Sequence, residues 1–191
     1  MTHHDNLKIL AFVGLPGSGK TTAVDYLTEK NYPKVYFGGV VLSALDDAGL
    51  EHTEVNERKV REQLRADEGN DFIVKRIIDQ IHHLADAGQH RIVAESLYSW
   101  TEYKALSHEF PGQLTTVAVV APKELRHRRL THRPIRPLTE QEAAGRDWSQ
   151  IENLEAGGPI AVADYFVMND GNVERFYQQI DAIVQEINFD Q

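Results

Sequence analysis

The chain has 191 residues, the size of one ordinary domain, and 41% of them are apolar, enough to close a core, which argues against disorder. It carries 20 Lys plus Arg against 29 Asp plus Glu, a formal charge of −9, and no cysteine; this balance argues against a nucleic-acid surface, and the missing thiols exclude disulfides, cysteine-ligated zinc and thiol catalysis. The charge is uneven: between positions 123 and 136 six cations (Lys123, Arg126, Arg128, Arg129, Arg133 and Arg136) face Glu124 alone, a local +5 that leaves −14 on the rest and points to a local anion site in an acidic body.

The polar start, Met1 to Leu7, has no signal-peptide pattern, and no apolar run reaches the length of a membrane span. A cytoplasmic protein without a membrane partner is expected. Lys8 to Val13 (KILAFV) predicts a buried strand that ends at Gly14. Glycine and proline punctuate 14 to 19, and a helical pattern follows from Lys20 to about Lys30. Lys34 to Phe37 predicts a second short strand closed by Gly38-Gly39, and Val40 to Ala48 a short helix. Glu54 to Asp67 is highly charged. Asp71 to Ala87 predicts an amphipathic helix, with Phe72, Ile73, Ile77, Ile78, Ile81 and Leu84 at helical spacing and Gly88 as its stop.

A third strand starts at Arg91 and is followed by Glu95-Ser96. Thr101 to Phe110 predicts a helix, Thr115 to Ala121 the fourth strand, and Pro122 the first residue of a helix to about His132. Arg133 to Leu138 holds two prolines and predicts a loop. Thr139 opens the next helix with Glu142 as capping-box partner, and Gly157-Gly158-Pro159 is its expected end. Tyr165 to Met168 predicts the fifth strand and Asn172 to Ile187 a terminal amphipathic helix. This alternation specifies an α/β fold, a parallel sheet with helices on both faces. No repeat or linker divides the chain, so one domain over 1–191 is expected.

Gly14-Leu15-Pro16-Gly17-Ser18-Gly19-Lys20-Thr21 satisfies G-x-x-x-x-G-K-[ST] between a predicted strand and a predicted helix. Glycines let successive N–H groups turn inward on a phosphate, and the following helix adds its positive end. Lys20 is placed to reach the β- and γ-phosphates, and the Thr21 hydroxyl to join a Mg²⁺ shell. Thr22 follows in the same turn. The motif specifies a nucleoside triphosphate site without naming the reaction.

Ala121 to Arg133 reads APKELRHRRLTHR. It is a solvated helix face, a nucleic-acid patch that the total charge disfavours, or part of a phosphate clamp. Arg129 and Arg133 share a helix face at i,i+4, Arg136 follows in the loop, and Arg146 comes in the next helix. Arginines flanking a mobile segment suit phosphoryl transfer, where they neutralise the transferring group as the segment closes.

The pattern A-P-x-E-L-x-x-x-R-L-x-x-R, then a short loop and Arg146-Asp147, resembles the lid of adenylate kinase and its relatives. L-P-G-S-G-K-T is similar to their phosphate loop. A-D-Y-F-V-M-N-D-G (Ala163 to Gly171) is similar to a motif of dephospho-CoA kinase. The whole chain resembles small dephospho-CoA-kinase-like P-loop ATPases. The resemblance implies a three-layer P-loop NTPase fold, a five-stranded parallel sheet in order 2-3-1-4-5, and a short helical lid over about 133–146. It implies that Arg129 packs on the adenine, that Arg133 and Arg146 touch phosphates, and that Asn169 and Gly171 border the base. The absence of cysteine excludes a zinc-bearing lid.

On the acceptor side, about 39–88, the chain departs from that family. Where those kinases carry G-D-x-x-R it has Gly38-Gly39-Val40-Val41-Leu42. Where they carry D-G-x-R it has Glu95-Ser96-Leu97-Tyr98. Two explanations are open. Arg58, Arg61 and Arg65 supply the missing charge, unless they belong to an exposed helix laced with ion pairs. Alternatively the acceptor presents a hydroxyl, which a carboxylate base would serve. Glu95, at the carboxyl end of a central strand, is the candidate base or the residue that orients water on Mg²⁺. Tyr98 and Trp100 form an aromatic wall or pack the core. His82-His83, His127 and His132 have no metal-ligand spacing, so no metal is expected beyond Mg²⁺ carried by ATP.

The expected function is an ATP-dependent kinase acting on a nucleotide-like or nucleoside-like acceptor, as a monomer or homodimer. The alternative is a regulatory ATPase without a small-molecule acceptor.

Overall fold

The first strand, β1 (Lys8–Val13), is apolar on both faces because both faces are covered. Its alternate residues enter different cores. Leu10 and Phe12 join Ala23, Val24 and Leu27 of α1 (Lys20–Thr28) and Phe176, Ile180 and Val184 of α9 (Val173–Glu186). Ile9, Ala11 and Val13 join Phe72, Ile77 and Ile81 of α4 (Phe72–Asp86) and Leu106 of α5 (Trp100–Glu109). This period of two builds helix, sheet and helix into three layers.

A computed structural model describes residues 6–134 and 137–190, without the side chains of Glu54 and Arg58. Five strands run parallel in the order β2-β3-β1-β4-β5: β2 (Lys34–Tyr36), β3 (Arg91–Glu95), β4 (Leu114–Val120) and β5 (Tyr165–Met168) flank β1. The chain departs to β2 and β3 on one side of β1 and to β4 and β5 on the other. The crevice at the carboxyl end of β1 is therefore the switch point where such sheets bind ligands. Register brings Phe12 level with Glu95, so this carboxylate stands beside the turn that leaves β1.

The helices between are α2 (Gly39–Asp47), α3 (Glu54–Glu68), α6 (Lys123–His132), α7 (Glu140–Leu154) and α8 (Gly157–Ala161). The charged stretch is thus the helix α3, started by Thr53, whose side chain accepts from the Asn56 amide. The expected capping box of Thr139 and Glu142 opens α7. Most element ends fall within a residue or two of the sequence reading, and two differ in kind. Pro122 precedes α6 as its cap, with ψ 141. Gly157-Gly158-Pro159 does not end α7, which stops at Leu154 with Glu155 left-handed at φ 52; it forms α8 instead. Gly158 is needed there because a Cβ would lie 2.8 Å from the Trp100 ring. Among the described residues no helix is long and apolar enough to cross a membrane.

Candidate active site

The loop between β1 and α1 carries glycines in conformations that L side chains rarely adopt. Gly17 has φ +76, and a Cβ there would lie 2.5 Å from the Arg126 carbonyl oxygen; Gly19 has φ +107 and would meet the Asn169 amide. Both contacts tie the loop to neighbours across the sheet. Gly17→Ala is expected to destabilise the fold by about 1–3 kcal/mol and to weaken triphosphate binding, because the opposing atom is backbone and does not yield. Denaturant melts and nucleotide titration measure the two effects separately.

The loop fits a triphosphate on three counts. Helix α1 has no side-chain cap and no acid in its first turn, whereas α5 and α7 have both. The positive end of α1 therefore carries no capping side chain or acid of its own. The Ser18 hydroxyl is buried without a hydrogen-bond partner among the described residues. Lys20, only 8% exposed, donates to the carbonyls of Gly14 (2.7 Å) and Leu15 (3.2 Å), which hold its ammonium across the loop. Burial, then the nearby Arg126 guanidinium, bring its pKa down to about 8.

Beside it the Thr21 hydroxyl donates to Glu95 Oε1 at 2.9 Å. Lys34 of β2 donates to the other oxygen, Oε2, at 3.0 Å, and its ammonium also lies 3.7 Å from Asp25. Both Glu95 oxygens are engaged, on a side chain only 6% exposed. That arrangement suits an acceptor of hydrogen bonds from ion-bound water, next to the Thr21 hydroxyl.

A cleft of about 450 Å³ opens over this loop. Pro16, Gly17, Gly19, Lys20, Thr21 and Thr22 line one wall; Arg129, Arg133 and Arg146 come from α6, its end and α7. The remaining wall includes Tyr36, Ser96, Tyr98 and Gln150. The three arginines, more than 100 residues beyond the loop, are brought there by β4, whose carboxyl end feeds α6 directly across from Gly17.

Arg126 explains how this geometry is held, a role that the sequence reading missed. It is buried, makes two 2.8 Å bonds to the Asp147 carboxylate, and donates to the Pro16 carbonyl at 2.9 Å. His127 reaches the same carboxylate at 2.9 Å. Burial pushes the Asp147 carboxyl up, but the hydrogen bonds from Arg126 and His127 outweigh it and hold the pKa below the usual range. One guanidinium thus clamps the phosphate loop, α6 and α7 together, and Asp147 follows Arg146 directly. The i,i+21 spacing of Arg126 and Asp147 carries no sequence signal, because a loop intervenes.

Other expected site residues lie behind the cleft rather than in it. Gly14 and Ser18 are buried under the loop. Asn169 donates to the Ser18 carbonyl at 2.7 Å and accepts from Arg129 at its backbone oxygen (3.0 Å) and at Oδ1 (3.2 Å). It braces the loop and Arg129 together. Gly171, just beyond, is exposed and does not line the cleft. Gly38, Arg61 and Arg65 are also not among the lining residues. The Tyr36 ring lies over Gly38, where a Cβ would be 2.5 Å from its phenol oxygen. This glycine serves ring packing in an ordinary backbone, with φ −65. Arg136 lies outside the described residues, as does the Arg58 side chain. Gln150 has a signal in hindsight: it follows Arg146 by four residues and so shares its helix face.

The sheet order, the glycine loop and the arginine-bearing helices together define a P-loop kinase-like protein. A family model described as an AAA domain matches residues 10–156, and the chain belongs to that family. The UPF0200 protein of Thermococcus kodakarensis is 31% identical over 182 residues, covering 94% of this chain and 97% of its own. Among solved structures, shikimate kinase from Bacteroides thetaiotaomicron superposes with a TM-score of 0.59 at 14% identity, covering 95% of this chain and 98% of its own. Dephospho-CoA kinase from Campylobacter jejuni gives 0.54 at 17% identity with the same coverage. These structural likenesses concern the fold.

Proposed function

We propose that the chain is an ATP-dependent small-molecule kinase that transfers the γ-phosphoryl group to a nucleotide-like or nucleoside-like acceptor. The observation that carries this reading is the meeting, in one cleft, of Lys20, Thr21 with Glu95 hydrogen-bonded to it, and the arginines of α6 and α7. Shikimate kinase and dephospho-CoA kinase, by their names, act on small acceptors, and the shared fold supports that comparison.

In this reading the 1–191 chain works as one domain, with 39–88 as the acceptor segment and 133–146 as the lid. The amides of residues 17 to 21 hold the phosphates. Lys20 stabilises charge on the transferring group, and Arg133, Arg136 and Arg146 close on it. Arg129, braced by Asn169, bounds the adenine side. A magnesium ion on the triphosphate would neutralise the β- and γ-oxygens. Thr21 would hold it directly and Glu95 through water. With both oxygens engaged, Glu95 positions rather than abstracts.

The test is ATP turnover across nucleosides, nucleotides and dephospho-CoA, with products read by mass spectrometry. One acceptor class is expected to raise turnover well above the acceptor-free rate. A flat response across the panel would favour the regulatory ATPase. Glu95→Gln is expected to raise the Mg²⁺ concentration for half-maximal turnover, with transfer largely recovered at saturation. A base would instead lose about 10²–10⁴-fold at any Mg²⁺ concentration.

A further inference from the structure

The wall of the cleft just beyond β3 has a chemistry of its own. Tyr98 stands at the end of β3, at the position where the resembling kinases carry an arginine. Its ring centre is 5.8 Å from the Lys20 ammonium, so whatever rests on it lies beside the transferring phosphoryl group. Burial pushes its phenol pKa up, so it stays a neutral O–H. Tyr36 flanks it, with its ring over Gly38 and Gly39 at the start of α2. That helix has no side-chain cap, and the ring screens the turn whose amides would otherwise meet an acceptor phosphate.

Gln150 supplies an independent observation. It lines the cleft, is 91% buried, and its Oε1 has no hydrogen-bond partner among the described residues. Tyr98 and Gln150 line the same cleft. A buried amide oxygen without a donor is unfavourable. An ionised phosphate offers only acceptors and leaves that oxygen unsatisfied; a hydroxyl or N–H satisfies it. The cations that line the cleft, Lys20, Arg129, Arg133 and Arg146, come from the loop, α6 and its end, and α7.

Resting on the kinase reading, we infer that the acceptor is a neutral, hydroxyl-bearing molecule with a planar face, stacked against Tyr98 beside Tyr36 and donating a hydrogen bond to Gln150. Its hydroxyl oxygen forms the new bond to the γ-phosphorus as the bond from that phosphorus to the β,γ-bridging oxygen breaks. ADP leaves with that electron pair, and the hydroxyl proton passes to solvent.

The experiment uses the full chain with ATP and three probe sets: nucleosides, the matching monophosphates, and sugars lacking a planar ring. Nucleosides are expected to exceed both other sets in kcat/KM by at least about tenfold, since a site with a buried polar group rejects ligands that cannot pair it. Gln150→Leu is expected to raise the acceptor KM about tenfold while the affinity for a non-hydrolysable ATP analogue, by calorimetry, stays within about twofold. Tyr98→Arg is expected to shift preference toward the monophosphates. Preference of the unaltered protein for monophosphates overturns this inference and leaves the kinase reading standing. So does preference for the ring-free sugars. No acceptor-dependent turnover with any set overturns both.

Discussion

Lys20→Met is expected to abolish measurable turnover and weaken ATP binding by about 10–100-fold, while making the nucleotide-free protein more stable. The first part follows from losing a charge-assisted contact to the phosphates, about 1.5–3 kcal/mol. The second follows from linkage. The Lys20 pKa is about 8 in the folded chain against an ordinary 10.5, so the folded state disfavours the charged form. That penalty is present in full below pH 8 and is relieved as pH rises from 8 toward 10.5. At pH 7 it amounts to about 3 kcal/mol, an upper bound on the gain from methionine, which also loses the bonds to Gly14 and Leu15. Calorimetric melts of both proteins at pH 7 and pH 10 test this: the advantage of Met should shrink at the higher pH. ATP affinity of the unaltered protein should be flat below pH 8 and fall above it, because binding requires the ammonium. A pH-independent affinity up to pH 10 would contradict the burial argument.

Arg126→Ala is expected to cost about 3–5 kcal/mol in a urea melt, since it leaves the buried Asp147 carboxylate with His127 alone. It also removes the donor to Pro16, so ATP affinity should fall under conditions where the protein remains folded. The pair Arg126→Met with Asp147→Leu separates the two effects. Replacing both charges by apolar groups should recover much of the stability. ATP binding should stay impaired, because nothing then holds Pro16. Without the nearby guanidinium, Lys20 should also titrate at higher pH, moving the fall in affinity to more alkaline conditions. Full recovery of binding in the double variant would make Arg126 a stability element and nothing more.

The strands and helices were legible because apolar period and turn chemistry are local. KILAFV followed by the glycine loop places a strand, a phosphate site and a helix start within 13 residues. The sheet order was legible through resemblance, as were Arg129, Arg133 and Arg146 at the cleft. The α3 helix and the α8 turn were less legible. The first is charged on most faces, and the second begins with two residues that usually end helices.

The local pattern set which residues were candidates; folding sorted them by partner. Arg126 and Arg129 sit one turn apart on α6 with the same chemistry, yet one is buried in an ion pair and the other lines the cleft. Glu95 was readable as functional from its place after a strand. Its partners, Thr21 and Lys34, are 74 and 61 residues away, and in the proposed reading they make it a positioning carboxylate rather than a base. Tyr36 carried no motif at all, and Gln150 only its spacing from Arg146. A side chain's role depends on what the sheet order puts opposite it, and those distances are set by packing across the layers, which no periodicity along the chain encodes.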